Sequence, residues 1–242
     1  MTESDPAAAA AALSDGLALA AEAAGASTVL VDARRRIPAS GIAWSDDGLI
    51  VTADHILERD EEISVTLPEG RPVTATLVGR EPGSDLAVLK VEAKTSPARR
   101  AGDARVGELV LALGRPEPSI MASFGVVSAV GKPWQTATGL AVDGLIRSDT
   151  TFFPGFSGGP LTNVKGEVIG LNSSRLGRGG GLTIPASSVD RVVAALVQHG
   201  HLRRGYLGIT SQPVEAGSTS GLLVVGVADG SPASEAGVLI GD

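Results

Sequence analysis

The sequence predicts an all-β body of two six-stranded barrels, entered by one helix and left by another. Three observations carry this. Short apolar stretches recur between turn signals, and they fall into two groups of six. The 242 residues include 32 glycines and 14 prolines, the breakers that short strands and tight turns require. Hydrophobic residues make up 43% of the chain and aromatics only 3%, so a large core is available and must be built from Val, Leu, Ile and Ala.

The elements follow in order. Residues 1–12 are acidic and Ala-rich and are expected to be disordered or a frayed helix start. Ser14 is placed to cap a helix over 15–24, and Gly25 to end it. From Ser27 the periodicity changes. The first strand group reads 28–32, 41–45, 49–52, 62–67, 73–78 and 86–91, with hairpin turns at Gly48 and Gly70. A join follows near 95–103, around Pro97 and Gly102. The second group reads 109–113, 123–130, 144–147, 159–163, 168–172 and 181–184. The barrels then cover about 27–95 and 104–185, inside a domain of 13–200. After Pro185, the residues Val189, Val192, Val193, Leu196 and Val197 stand at helical spacing, and Gly200 stops the helix. A separate segment begins at about 204. Two barrels packed side by side would hold an active site in the crevice between them.

Composition excludes several classes. A net charge of −7 with few aromatics argues against nucleic-acid binding, which relies on Lys and Arg to neutralise phosphate. No cysteine is present, so disulfides and thiolate metal sites are ruled out. His199 and His201 form a weak pair without acidic or Cys partners at ligand spacing, so no metal site is expected. Glu3, Asp5, Asp15 and Glu22 interrupt any signal-like run, and no apolar run is expected to match a membrane span. The expected location is therefore cytoplasmic, the alternative being an exported protein whose leader has been removed.

Three sites carry chemistry. Ser157 lies in Pro154-Gly-Phe-Ser-Gly-Gly-Pro160, where glycines let the backbone turn and aim amide N–H groups into a pocket. The same stretch matches the nucleophile elbow G-x-S-x-G, but an elbow needs a following helix, and Leu161-Thr162-Asn163 reads as a strand. An esterase of that type would take its partners from Asp190 and His199 or His201, and it remains the weakest alternative. His55 follows a strand, where a base could activate a serine hydroxyl. Asp85 opens an apolar strand, from which a carboxylate could hold the imidazole tautomer. The order His55, Asp85, Ser157 is that of chymotrypsin, and it divides the three residues between the two strand groups.

From Ser27 to the C-terminus these residues resemble the HtrA (Deg) serine proteases. The blocks that carry the resemblance surround His55 (39–55), Asp85 (77–90) and Ser157 (147–172), with Ile184-Pro185 and the helix ending at His199-Gly200. The resemblance implies a chymotrypsin-like fold and a serine endopeptidase that cleaves unfolded or damaged proteins through an acyl-enzyme. It implies no ATP, metal or organic cofactor. His55, Asp85 and Ser157 would be catalytic, and the N–H groups of Gly155 and Ser157 would form the oxyanion hole. Thr151 would floor the P1 pocket, and Leu171, Asn172 and Ser173 would wall it and pair with substrate, with a small or medium aliphatic P1 preferred. The stretch 204–242 resembles the first part of a PDZ domain, in which Tyr206, Leu207, Gly208 and Ile209 would bind peptide C-terminal carboxylates by strand addition.

Departures from the family pattern bear on activity. Phe156 replaces the usual polar residue before the nucleophile, with Phe152 and Phe153 nearby. The stretch from Asp32 to Ser40 is too short for a long regulatory loop. A homotrimer is the family's assembly, yet the N-terminus lacks the aromatics that many members use to form it. The PDZ-like part stops about half built, so the chain is expected to be a fragment of a longer protein. A catalytically resting or inactive peptide-binding, chaperone-like module is the alternative to an active protease.

Overall fold

The computed structural model describes residues 6–135, 141–176, 181–199, 207–216 and 219–242. They divide into two units, 1–202 and 203–242.

The first unit opens with helix α1, Pro6–Gly25. The sequence reading began this helix at residue 15. The structure begins it at Pro6, because a proline at the first helical position needs no N–H partner and Ala7 to Ala12 have the highest helix propensity. By length and composition alone α1 is also apolar enough to cross a membrane, a test that a soluble protein's helix passes as well. Its small Ala face lets it lie close on the body: Ala20 and Ala24 pack against Leu111 and Leu113. Its C-terminal carbonyls are met by side chains. Arg115 Nη2 donates to Gly25 O (2.9 Å) and Thr28 Oγ1 to Ala24 O (2.9 Å), while Arg115 Nε reaches on to Thr28 O in β1 (2.7 Å).

The first barrel comprises β1 (Thr28–Asp32), β2 (Ala39–Ala43), β3 (Leu49–Ala53), β4 (Ile63–Thr66), β5 (Pro72–Glu81) and β6 (Leu86–Val91). It closes in the order β1-β2-β3-β6-β5-β4. The second comprises β7 (Leu109–Gly114), β8 (Met121–Val130), β11 (Ile146–Ser148), β12 (Pro160–Asn163), β13 (Val168–Ser173) and β14 (Leu182–Pro185), closed as β11-β14-β13-β12-β7-β8. A short pair, β9 (Trp134–Gln135) and β10 (Ala141–Val142), stands apart from it. Closure gives each barrel strand two neighbours, which removes open sheet edges. The all-β, double six-stranded fold class is thus the one observed.

Helix α2, Ala186–His199, buries Val189, Val192, Val193 and Leu196. They join Val168, Leu171 and Ile184 of the second barrel and Val88 and Leu89 of the first in one continuous core. Val197, expected on the apolar face, is exposed. Gly200 lies outside the described residues.

The second unit contains an antiparallel hairpin of β15 (Ile209–Ala216) and β16 (Thr219–Val227), then a one-turn helix, α3, Pro232–Glu235. Ser231 caps α3 by accepting the Ser234 N–H, with Pro232 at the first helical position.

Candidate active site

His55 sits on a single 3-10 turn, Asp54–Ile56, immediately after β3. Asp85 precedes β6 with φ +56°, in the left-handed region that Asp and Asn tolerate better than other side chains. This backbone bend carries the carboxylate back over the 3-10 turn. Asp85 Oδ1 accepts the His55 N–H (2.9 Å), and Oδ2 lies 2.8 Å from His55 Nδ1. Asp85 is fully buried and also accepts the Ser173 hydroxyl. Several donors therefore meet the buried carboxylate, as its desolvation requires. With Nδ1 bound to Asp85, the free ring nitrogen, Nε2, is left as an acceptor. The buried carboxylate of Asp54, beside His55, is charge-paired to Arg80 Nε (2.6 Å).

Ser157 is held by the loop between β11 and β12 of the second barrel. Gly155 (φ +88°) and Gly158 (φ +85°) adopt backbone that side chains resist, and both are packed tightly. A Cβ on Gly155 would stand 2.4 Å from Pro116 Cβ, and one on Gly158 2.0 Å from Ser40 O. Ser40, on β2, fastens this loop at two points. Its N–H donates to Ser157 O (3.1 Å) and its hydroxyl to Gly155 O (2.7 Å). Among the described residues, the N–H groups of Gly155 and Ser157 have no acceptor, whereas those of Phe156, Gly158 and Gly159 are spent on Phe153, Asn172 and Phe156 carbonyls. Two unspent donors beside a hydroxyl can stabilise an oxyanion.

The Ser157 hydroxyl itself is bound to Ser174, whose Oγ is 2.9 Å away and whose N–H donates to it at 3.2 Å. Ser174 Oγ in turn lies 3.5 Å from His55 Nε2. No hydrogen bond joins Ser157 directly to His55 among the described residues.

Phe156 points away from the site. Its ring is fully buried in the second barrel's core, edge-on to Phe153 at 5.3 Å, in space that Gly114 leaves open. The other expected substrate residues are placed as follows. Thr151 is exposed, and its N–H donates to Ser123 (2.8 Å). Leu171 is buried in the core. Asn172 is buried and bonded to Pro160 O and Thr183. Ser173 turns to Asp85. Strand β13 is paired with both β12 and β14, and the Asn172 N–H and carbonyl are bonded to Gly159 and Gly158, so Leu171 and Asn172 frame the nucleophile loop rather than line the cleft. In the second unit, Tyr206 lies outside the described residues, Leu207 is exposed, Gly208 has φ +76° and Ile209 starts β15.

A cleft of about 350 Å³ contains His55, Ser157 and Ser174, with Phe152, Phe153 and Arg36 among its walls. A larger cavity, about 470 Å³, lies between Arg100, Ile146 and Ala186 but is lined by no histidine. Geometry thus favours the smaller one as the place for chemistry. The sequence reading missed Ser40 and Ser174. Ser40 lay inside a quoted motif, but its dual bonding needs the other barrel, and Ser174 had no signal beyond following Ser173.

Residues 39–171 match the trypsin-like peptidase domain. The chain is 35% identical over 222 residues to a probable periplasmic serine endoprotease, DegP-like, of Chlamydia pneumoniae, covering 85% of this chain and 45% of that protein. It is 34% identical over 216 residues to the serine endoprotease DegS of Haemophilus influenzae, covering 84% of this chain and 62% of that one. Among solved structures it resembles the HtrA-type protease AlgW with a decapeptide, at a TM-score of 0.77 and 26% identity, over 93% of this chain and 83% of that one. The chain thus spans less than two thirds of the curated relatives' length. Several relatives are named periplasmic, which overturns the cytoplasmic expectation: absence of a recognisable leader was too weak a ground for it. With two closed barrels, a histidine–carboxylate pair facing a glycine-framed serine, and these likenesses, the chain belongs to the HtrA family of serine proteases.

Proposed function

We propose that the protein is an exported serine endopeptidase that cleaves unfolded or damaged polypeptides without ATP, using His55, Asp85 and Ser157 as its triad. The observation that carries this reading is the buried Asp85 carboxylate 2.8 Å from His55 Nδ1, in the same cleft as a serine flanked by two unspent N–H groups. Ser157 Oγ attacks the scissile carbonyl carbon while its proton passes to His55 Nε2. The Gly155 and Ser157 N–H groups bind the resulting oxyanion. His55 then protonates the leaving amine, and water, deprotonated by His55, releases the acid product. Asp85 remains ionised and balances the imidazolium.

Substrate would align beside the end of β13, next to Ser173, and Phe152 together with an uncharged Thr151 favours an aliphatic P1 residue. The segment from 204 would bind peptide C-termini through Tyr206 to Ile209, and the family's homotrimer is the proposed assembly. The test is digestion of unfolded casein by the wild type and by Ser157→Ala. Cleavage lost in the variant is expected. Equal cleavage by both would overturn the assignment.

A further inference from the structure

We infer that Ser174 is a gating residue that holds the Ser157 nucleophile off its base in the resting enzyme. This rests on the triad reading above and deepens it.

A serine transfers its proton to histidine across a contact of about 2.6–3.2 Å. Here the contact at that distance belongs to Ser174: 2.9 Å from its Oγ to Ser157 Oγ. The Ser174 N–H also donates to Ser157 Oγ (3.2 Å), occupying electron density that the attack on a carbonyl must use. The strand geometry explains why. Along β13 alternate residues face the same neighbour. Asn172 exchanges backbone bonds with the nucleophile loop, N to Gly159 O and O to Gly158 N, each 2.8 Å. Two residues on, Ser174 presents its N–H to the same side, and there it meets Ser157.

Ser174 is also fixed from both flanks. Ser173 bonds Asp85 and accepts the Arg175 N–H (3.1 Å), while the Arg175 guanidinium lies 3.8 Å from the Asp54 carboxylate. The run 173–175 is thereby fastened beside His55 and Asp85, and the Ser174 hydroxyl is left between nucleophile and base. A proton relay through that hydroxyl is the other reading of the same chain. The distances favour a lock, since 3.5 Å to Nε2 is at the limit of a hydrogen bond and 2.9 Å to Ser157 is well inside it. Direct transfer then needs the Ser174 side chain to rotate away. Removing its hydroxyl makes that step unnecessary.

The experiment is the rate of fluorophosphonate labelling of Ser157, located by mass spectrometry, in the wild type, Ser174→Ala, Ser174→Thr and His55→Ala. Peptide kcat and KM are measured in the same proteins. Ser174 is exposed, so folding should survive its substitution. Expected is labelling about tenfold faster in Ser174→Ala, equal to ~1.4 kcal/mol, with kcat raised and KM unchanged. Ser174→Thr, which keeps the hydroxyl, should label as the wild type does. Unchanged labelling in Ser174→Ala would overturn the gate while leaving the protease standing. Slower labelling would overturn it in favour of the relay. No labelling of Ser157 in any folded variant, or labelling indifferent to His55→Ala, would overturn the triad and the gate together.

Discussion

The hydroxyl of Ser40 lies 2.7 Å from the carbonyl oxygen of Gly155, across 115 residues of sequence. The bond runs from the first barrel to the loop of the second that carries Ser157. Ser40 Oγ also accepts the Arg115 N–H at 2.8 Å, so one small side chain meets two buried backbone groups. Truncation to Ala leaves both unsatisfied. Ser40→Ala is expected to lower stability by about 1–3 kcal/mol in urea titration. It should also lower kcat by about tenfold with little change in KM, since the loosened donor on Gly155 acts on the transition state.

Asp85 fixes which nitrogen of His55 carries the proton. Asp85→Asn preserves shape but offers an amide where an acceptor is needed, so the ring is held in the wrong tautomer. A fall of about 10⁴ in kcat is expected, by the precedent of triad enzymes, with circular dichroism unchanged. A fall of less than tenfold would mean that the pair is structural.

Gly114 and Phe156 share one volume. A Cβ on Gly114 would come within 2.5 Å of the Phe156 ring, in a fully buried site. Gly114→Ala is expected to cost about 1–3 kcal/mol by overpacking. Adding Phe156→Leu should recover part of that loss, a coupling that a double-mutant cycle reads directly. Additive effects would show that the two positions do not compete for space.

Much of this arrangement was legible in the chain, and the omissions have physical causes. Strands 28–32 and 86–91 were read to the residue, because turn signals bound each apolar run. Strand β5, expected over 73–78, is longer. In the barrel the register merely shifts between Leu77 and Gly79, and the strand runs on to Glu81. His55, Asp85 and Ser157 stood out because each sits in a distinctive local motif. Ser174 did not, because its role depends on where β13 ends relative to a loop from the same barrel. Arg115, buried against the end of α1, carries no local motif, because its partner Gly25 lies 90 residues away in the chain.

Asp143 should make the start of α2 sensitive to acid. Its carboxyl is held below the ordinary range, first by the Ser187 hydroxyl and further by Arg191, with partial burial opposing. A depressed folded-state value stabilises the fold above the unfolded value of ~3.9 and loses that stabilisation as pH falls through the folded value. The stability difference between wild type and Asp143→Asn should therefore be steady from about pH 7 to 5 and shrink below about pH 4. The side chain is 42% exposed, so water screens it and the difference should stay below about 1 kcal/mol. Thermal melts across that range measure it.

The left-handed backbone of Asp85 narrows what this position can accept. Glutamate would keep the charge but gains a methylene, which moves its carboxylate out of register with His55 Nδ1 and the His55 N–H. Glycine would accept the bend but carries no acid. Asparagine would accept the bend and match the outline, but not the charge. Bend, reach and ionisation are each met by a different neighbour in chemical space and jointly only by aspartate. Saturation mutagenesis at this codon should accordingly return one active residue, whereas a strand-interior position such as Val88 should tolerate several of similar volume.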